Sequence, residues 1–206
     1  MFVREVFAVA DPAEVAAILA NVRLGCLITH DTQGLCATHL PFIYDASAKT
    51  FAGHIARENA HWSRAGETEA LIVFQGVDAY VSPNWYPSKL AHGRVVPTWN
   101  YEAVHVHGRL SWVSDPGRLR DHLTALTDRF EAGAAKPWAV SDAPEDYIDR
   151  MVTQVVGARV VVERVEVMRK LSQNRPAPDR QGVVAGLSAS AEAGDRAVAA
   201  KMRGLD

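Results

Sequence analysis

Short apolar segments separated by turn residues dominate the first half of the chain, and this pattern limits the folds open to it. Residues 24–30 (LGCLITH) and 35–44 (LCATHLPFIY) flank a turn at 31–34, and a second turn at 45–49 leads into residues 50–55. Apolar runs joined by such turns predict β-hairpins, which pair strands antiparallel. The pattern therefore favours an antiparallel sheet over a doubly wound parallel one.

Later segments complete this prediction. Residues 69–82, 99–114 and 158–169 are rich in apolar and β-branched side chains and predict further strands. Helices are predicted after the Asp–Pro pairs at 11–12 and 115–116 and after Pro144, with a shorter helical patch at 60–66. Neither βαβ alternation nor a glycine-rich phosphate loop is present in the sequence. We therefore predict an α+β fold with a six-stranded antiparallel barrel and peripheral helices.

The composition changes near residue 176. The 206 residues suffice for one domain with an appendage, and the last part of the chain is rich in Ala, Gly and Ser. The sequence predicts a main domain over 1–176 and a tail over 177–206, which is either flexible or helical.

The overall composition is that of an ordinary globular protein. Apolar residues make up 48% and charged residues 22% of the chain, and the formal net charge is −2. This balance lacks the basic excess typical of nucleic-acid-binding proteins. No apolar run is long enough to span a membrane, and Arg4 and Glu5 interrupt the place of a signal peptide, so we expect a cytoplasmic protein. Cys26 and Cys36 are interpreted as reduced, small apolar side chains, with a disulfide as the alternative.

An unusual mixture of aromatic residues, prolines and short amides occupies residues 74–101. Trp85, Tyr86 and Trp99 alternate there with prolines and with Asn84 and Asn100. Such a mixture can form a flat, mostly apolar wall for a planar ligand. It can equally form an aromatic loop that packs over a barrel end or a dimer contact. The prolines predict that residues 83–98 are a loop, since proline does not fit a central strand.

Two short motifs place polar side chains at predicted strand ends. In THLP (38–41), Pro41 is expected to end a strand, so His39 either binds a ligand or satisfies a backbone carbonyl. In GHIARENAHW (53–62), donors cluster at a strand-to-helix junction, which is a natural phosphate site. The alternative for the second motif is an ordinary helix cap at Asn59 with a solvated Arg57.

Other patterns are less specific. His105 and His107 share one face of a strand, but Glu102 has the opposite parity and no zinc-binding spacing occurs, so no metal site is predicted. No GxSxG motif is present, and no catalytic residue is assigned. The segment KLSQNR (170–175) is either a polar exit from the last strand or a segment that folds over a bound anion or heteroaromatic edge.

Taken in order, the motifs THLP, GHxAxxNxxW, AYVSPxWY, VPTWNYxxVHxxG and KLSQNR resemble those of the PaiB-like family, described as FMN-binding negative transcriptional regulators. The resemblance extends from about residue 1 to residue 176. It implies a split β-barrel like that of pyridoxamine-phosphate oxidases and flavin reductases, in a homodimer with two FMN sites at the subunit interface.

The resemblance also implies a set of FMN-binding residues. One group would lie along the ring and the phosphate, a second group, expected from the partner chain, would form the neighbouring wall, and a third group would close the site. The first group is Thr38, His39, Leu40, Pro41, His54, Ala56, Asn59 and Trp62; the second is Trp85, Tyr86, Thr98, Trp99 and Asn100; the third is Gln173, Asn174 and Arg175. Arg57 falls at a variable position of the family pattern.

Three functions follow from the resemblance. The leading one is a flavin-dependent oxidoreductase or redox sensor that acts on a small molecule with a reductant. The second is a repressor that binds DNA or acts indirectly, although the sequence contains no helix-turn-helix signature. The third is a haem-binding or haem-degrading protein with His54, His105 or His107 as the axial ligand.

Overall fold

The computed structural model describes residues 1–205 and confirms an α+β fold built on six antiparallel strands. The strands hydrogen-bond in the order β1-β2-β3-β6-β5-β4, and β4 pairs with β1 to close the barrel. Their bounds are Leu24–Asp31 (β1), Gly34–Asp45 (β2), Thr50–Ala56 (β3), Thr68–Val81 (β4), Thr98–Val113 (β5) and Val155–Lys170 (β6).

Seven α-helices accompany the strands in the part of the chain that the structure describes. They are Pro12–Asn21 (α1), His61–Arg64 (α2), Pro87–His92 (α3), Pro116–Glu131 (α4), Glu145–Thr153 (α5), Ala177–Ser188 (α6) and Ala193–Arg203 (α7). The prediction of a loop across 83–98 is wrong in part, because a 3₁₀ turn (Pro83–Trp85) and α3 lie within it. Both helices start with proline, whose missing N–H costs nothing in a first turn.

The predicted strand end at Pro41 is also wrong. Strand β2 continues to Asp45, and Pro41 lies where β2 changes its partner. Pairing with β1 extends to Leu24↔Pro41, and pairing with β3 begins at Phe42↔Gly53. At such a change of partner, a residue without an N–H is accommodated within a strand.

The chain divides into two compact units. The barrel unit contains residues 16–74 and 105–165, and the C-terminal unit contains residues 1–15, 75–104 and the chain from 166 onward. Strands β4, β5 and β6 are each divided between the two.

Aromatic rings form the centre of the barrel unit. The rings of Phe42, Phe51 and Phe74 are buried and lie 5.5 to 6.1 Å apart between centroids.

A side chain at Gly108 would place its Cβ 2.1 Å from the carbonyl oxygen of Val161, so only glycine permits this approach of β5 to β6. Helices α4 and α5 pack together through Leu119, Ile148 and Val152.

The C-terminal unit has a core of its own. Residues 177–205, for which the sequence left a flexible and a helical state open, contain α6 and α7. Val183, Leu187 and Val198 on these helices are fully buried with Tyr86 and Leu171. The apolar positions of α6 and α7 thus complete a hydrophobic core together with the segments before β5 and after β6.

Both cysteines are free thiols. In the ladder between β1 and β2, Cys26 lies opposite His39 and Cys36 lies opposite Thr29. Within residues 1–205, none of the helices combines the length and apolar character needed to cross a bilayer.

Candidate functional site

A buried histidine organises the polar residues of the barrel unit. His61, at the start of α2, lies 2.9 Å through Nδ1 from the hydroxyl of Thr38 and 2.8 Å through Nε2 from that of Thr29. Burial, and then the charge of Arg64, lowers its pKa below the usual value for histidine. The ring is therefore neutral at pH 7, with one nitrogen donating and the other accepting.

Asn59 joins this cluster at its solvent side. Its Oδ1 accepts a hydrogen bond from the His61 N–H at 2.9 Å, and its Nδ2 donates to Thr38 Oγ1 at 3.4 Å. Asn59 thus satisfies a backbone donor at the start of α2, although the N-cap residue of α2 is Ala60 and not Asn59, as the capping alternative had it. Since a primary amide has two N–H donors, one of them is left for a ligand.

Arg57 does not join the cluster. Its Nε donates to the Thr153 carbonyl at 2.7 Å, and its Nη2 donates to the Val155 carbonyl at 3.0 Å. The guanidinium also lies over the ring of Trp62, whose Nε1 donates to the Arg57 carbonyl at 2.6 Å. Arg57 and Trp62 therefore brace the connection between α5 and β6, and Arg57 is neither the solvated side chain of one alternative nor a free phosphate ligand.

His54 lies on β3 beside a second histidine. Its Nδ1 is 3.1 Å from Nε2 of His122 on α4, and the Nδ1 atom of His122 is buried without a hydrogen-bond partner. Burial, assisted by the charge of His54, lowers the pKa of His122 to about 4, and burial also lowers the pKa of His54. Both rings are accordingly neutral at pH 7.

The other predicted residues of the barrel unit differ in exposure. Leu40 is 2% exposed and packs in the barrel interior, so its side chain offers no ligand surface. His39 and Ala56 are exposed, and Pro41 is half-buried. Thr38 and Asn59 are the pair that the structure brings together.

Trp99 is the clearest surface for a planar ligand in the C-terminal unit. It is 53% exposed, and its ring meets that of Tyr80 edge to face at 6.1 Å. Next to it, Lys170 Nζ donates to the Thr98 hydroxyl at 2.6 Å and to the Trp99 carbonyl. The backbone of Trp99 is thereby fixed while its indole remains open.

Several predicted ligands of this unit are occupied by internal contacts. Asn100 is fully buried and exchanges hydrogen bonds of 3.0 and 3.1 Å with Ser172, which has a left-handed backbone at φ 64°. The Gln173 side chain accepts from the Leu171 N–H and donates to the Arg169 carbonyl. Asn100 and Gln173 therefore shape the KLSQNR segment, and their amides are not free for a ring edge.

Trp85 packs against α6. A Cβ added at Gly182 would lie 1.9 Å from the Trp85 carbonyl oxygen, and one at Gly186 would lie 2.4 Å from the indole. Two glycines one turn apart thus form the slot that holds Trp85. Trp85 therefore packs within the C-terminal unit.

The end of the KLSQNR segment carries an exposed amide and a cation. Asn174 is exposed. The Arg175 guanidinium lies 4.8 Å from the ring centroid of the buried Tyr86, a separation suited to a cation–π contact.

Sequence reasoning missed three elements of these clusters. Thr29 and His122 reach their histidine partners only through strand register and helix packing. Asp179 is buried on α6 and accepts from the N–H and hydroxyl of Ser88 at the start of α3. None of these three residues lies in a motif that signalled a site, whereas their neighbour His61 lies within GHIARENAHW.

Comparison with known proteins identifies the family. The sequence model of the family described as "Putative FMN-binding domain" matches residues 1–164. The chain belongs to this family. FMN is thus its cofactor. The match ends at residue 164, before the KLSQNR segment and helices α6 and α7.

Two relatives of this FMN-binding chain cover most of its length. Protease synthase and sporulation protein PAI 2 of Bacillus subtilis is 29% identical over 89% of this chain and 87% of its own. An uncharacterised protein of Aspergillus fumigatus is 32% identical over 74% of this chain and 76% of its own. The predicted membership of the PaiB-like family is therefore confirmed.

A solved structure supports the fold of the family member. The FAD and heme binding protein of Mycobacterium smegmatis superposes with a TM-score of 0.59 at 15% identity, and the match covers 87% of this chain and 80% of that one. At this identity the likeness is one of fold alone.

Proposed function

We propose that the protein is a split-barrel homodimer that uses FMN as a flavin-dependent oxidoreductase or redox sensor for a small molecule. The observation that carries this proposal is the family match, which contains the Thr38–Asn59 pair and Trp99. When bound, the flavin supplies the electron-transfer chemistry, and the protein supplies binding, orientation and charge.

The barrel unit offers hydrogen-bond donors to the phosphate end of FMN. Asn59 keeps one N–H donor after bonding Thr38, and the exposed His39 lies one residue further along β2. The two arginines nearest in sequence are engaged, Arg57 with backbone carbonyls and Arg64 with Asp31. We therefore assign the phosphate contact to Asn59 and its hydrogen-bonded partner Thr38, and not to Arg57.

The C-terminal unit fits the ring end. The open indole of Trp99 offers an apolar face for stacking, and Lys170 beside it carries a positive charge. A fixed cation stabilises the negative charge that a flavin gains at its pyrimidine edge on reduction. We assign these two roles to Trp99 and to the Lys170–Arg175 segment.

Exposed apolar side chains support the homodimer. Leu90 is 93% exposed, Val96 64% and Trp99 53%, all within ten residues of one unit. A group of large apolar side chains in one exposed segment is typical of a surface that a partner covers. In the proposed dimer, this segment would bring Trp99 to the flavin site of the other subunit.

The phosphate assignment is tested by comparing FMN with riboflavin, which lacks the phosphate. In Asn59→Asp, the carboxylate still accepts from the His61 N–H but replaces the amide donor with a negative charge. We expect FMN affinity, measured by flavin fluorescence quenching, to fall about tenfold or more while riboflavin affinity is nearly unchanged. Equal losses for both ligands would contradict the assignment, and wild-type protein that takes up no FMN would refute the function.

The redox role needs a separate measurement. FMN-loaded protein is challenged anaerobically with NADH or NADPH, and bleaching of the flavin absorbance is followed. Reduction faster than that of free FMN supports an oxidoreductase. A rate equal to that of free FMN would leave only binding and contradict the oxidoreductase role.

A regulatory role is the second candidate, because the Bacillus subtilis relative is named for protease synthesis and sporulation. Direct repression predicts duplex DNA binding that weakens as salt increases. With a formal net charge of −2, such binding would need a local basic patch. A flat titration at low salt would exclude direct DNA binding.

A haem role is the third candidate, since the superposed Mycobacterium smegmatis protein binds FAD and heme. Of the three predicted axial residues, His54 already contacts His122. A Soret band on haem addition that is lost in a single His→Ala variant would support this role.

A further inference from the structure

A chain of hydrogen bonds connects a buried threonine to the Thr38–Asn59 pair through the ring of His61. Thr29 and His61 are 3% and 1% exposed, whereas Thr38 is half-buried. The ring lies between the two hydroxyls, with Nε2 2.8 Å from Thr29 Oγ1 and Nδ1 2.9 Å from Thr38 Oγ1. Trp112 also packs edge to face against it at 5.7 Å. The position of the imidazole is therefore fixed, and its one variable is which nitrogen carries the hydrogen.

Thr29 selects between the two forms of the neutral ring. A hydroxyl has one proton to donate and two lone pairs that accept. Because Thr29 is buried, leaving its hydroxyl proton without an acceptor would cost free energy. Within residues 1–205, the partner of this hydroxyl is Nε2 of His61. Nε2 must then accept from Thr29, which places the ring hydrogen on Nδ1.

The form of the ring in turn sets the direction of the Thr38 hydroxyl. Thr38 Oγ1 also accepts from Asn59 Nδ2 at 3.4 Å. With the hydrogen on Nδ1, Thr38 accepts from both His61 and Asn59, and its own O–H points away from them. With the hydrogen on Nε2, the Thr38 proton would be donated to Nδ1, and a lone pair would point outward instead. An anion binds to the outward O–H of the first form and is repelled by the outward lone pair of the second.

His61 falls at a variable position of the GHxAxxNxxW motif, between Asn59 and Trp62. The family pattern thus assigns it no role. We propose that His61 is a positioning residue, which holds its ring hydrogen on Nδ1 and thereby makes the Thr38 hydroxyl a hydrogen-bond donor to the ligand. This inference rests on the proposed function, in which Thr38 and Asn59 contact the flavin phosphate. It supplies that phosphate with an oriented O–H beside the free N–H of Asn59.

The first experiment observes the ring directly in flavin-free protein. The ¹⁵N and ¹H resonances of the imidazoles are correlated by NMR at pH 7 in ¹⁵N-labelled protein, and the His61 signals are those missing from the spectrum of His61→Asn. We expect Nδ1 to show the chemical shift of a protonated ring nitrogen and Nε2 that of a bare one. The reverse pattern would overturn the proposal.

The second experiment compares two variants that each keep one end of the ring. In His61→Asn, the amide lies at the place of Nδ1 and can still donate to Thr38. In His61→Gln, the longer side chain reaches the place of Nε2 and Thr29, so the Thr38 hydroxyl loses its fixed direction. We expect His61→Asn to retain most of the FMN affinity, measured by flavin fluorescence quenching, and His61→Gln to lose about fivefold. Riboflavin affinity should be nearly unchanged in both, because riboflavin has no phosphate.

Each variant loses one of the two hydrogen bonds to threonine, so a purely structural role predicts that FMN affinity follows Tm in both. Equal losses of FMN affinity in His61→Asn and His61→Gln, or equal losses for FMN and riboflavin, would overturn the positioning role. The two proposals fail separately. Wild-type protein that takes up no FMN refutes the proposed function, whereas an Nε2-protonated ring in protein that binds FMN refutes the role of His61 alone.

Discussion

Gly182 on α6 offers the sharpest test of how the C-terminal helices pack. In the interior of an exposed helix, Gly→Ala is stabilising by up to about 1 kcal/mol, because alanine loses less backbone entropy on folding. At Gly182, however, the added Cβ would lie 1.9 Å from the carbonyl oxygen of Trp85. Backbone forms this contact, so no rotamer change relieves it, and α6 must move away by about 1.5 Å to reach ordinary van der Waals separation.

The displacement works against the core of the C-terminal unit. Val183 and Leu187 on the same helix are fully buried with Tyr86 and Leu171, so a shift of α6 loosens their packing. Overpacking of this kind costs about 1–3 kcal/mol, and we expect Gly182→Ala to lower the free energy of unfolding by about 2 kcal/mol after the helix-propensity gain. For a chain of this size, that corresponds to a fall in Tm of about 4–8 °C.

Gly194 on α7 is the matched control. A Cβ there would lie 3.6 Å from its nearest neighbour, the Asp78 carbonyl oxygen, which is an ordinary contact. Gly194→Ala should therefore leave Tm unchanged or raise it slightly, giving the opposite sign for the same substitution in the adjacent helix. Thermal unfolding followed by circular dichroism measures both. If Gly182→Ala is as stable as Gly194→Ala, the close approach of α6 to Trp85 is refuted.

Three further predictions concern the histidine pair, Arg57 and Trp99. Below pH 6.5 His122 binds a proton in the unfolded chain, whereas in the folded protein its pKa is lowered to about 4, so the free energy of unfolding should be about 2 kcal/mol lower at pH 5 than at pH 7. Urea titrations at pH 5 and pH 7 should show a smaller difference in this free energy for His122→Gln, and an unchanged difference would contradict the role of His122. Arg57→Met should lower stability by about 2 kcal/mol through loss of two charged hydrogen bonds to carbonyls; its FMN affinity should match the wild type, whereas a phosphate-ligand role predicts a large loss. Trp99→Ala should weaken the binding of FMN and of riboflavin alike by about tenfold, because a contact with the flavin ring is common to both ligands. Trp138→Ala removes a similarly exposed indole in the barrel unit and should leave both affinities unchanged. Equal losses of flavin affinity in the two variants would argue against stacking on Trp99.

The motifs predicted the content of the candidate site better than its geometry. THLP and GHIARENAHW do bring Thr38 and Asn59 together, because β2 and the turn after β3 lie in one unit. The role of His61 between Thr29 and Thr38 could not be read from the chain, since it depends on the β1–β2 register. Arg57 illustrates the same limit, because its carbonyl partners lie about a hundred residues later.

The sequence by itself determined the strands, most of the helices and the family, because hairpin turns, helix caps and long motifs are local signals. The tertiary structure decided what the last thirty residues do. Their small residues resemble a linker, yet Gly182 and Gly186 form the slot for Trp85, and Asn100 bonds to Ser172 and Met202. Whether a side chain binds a ligand or braces the fold depends on which distant backbone groups reach it, and only packing fixes those distances.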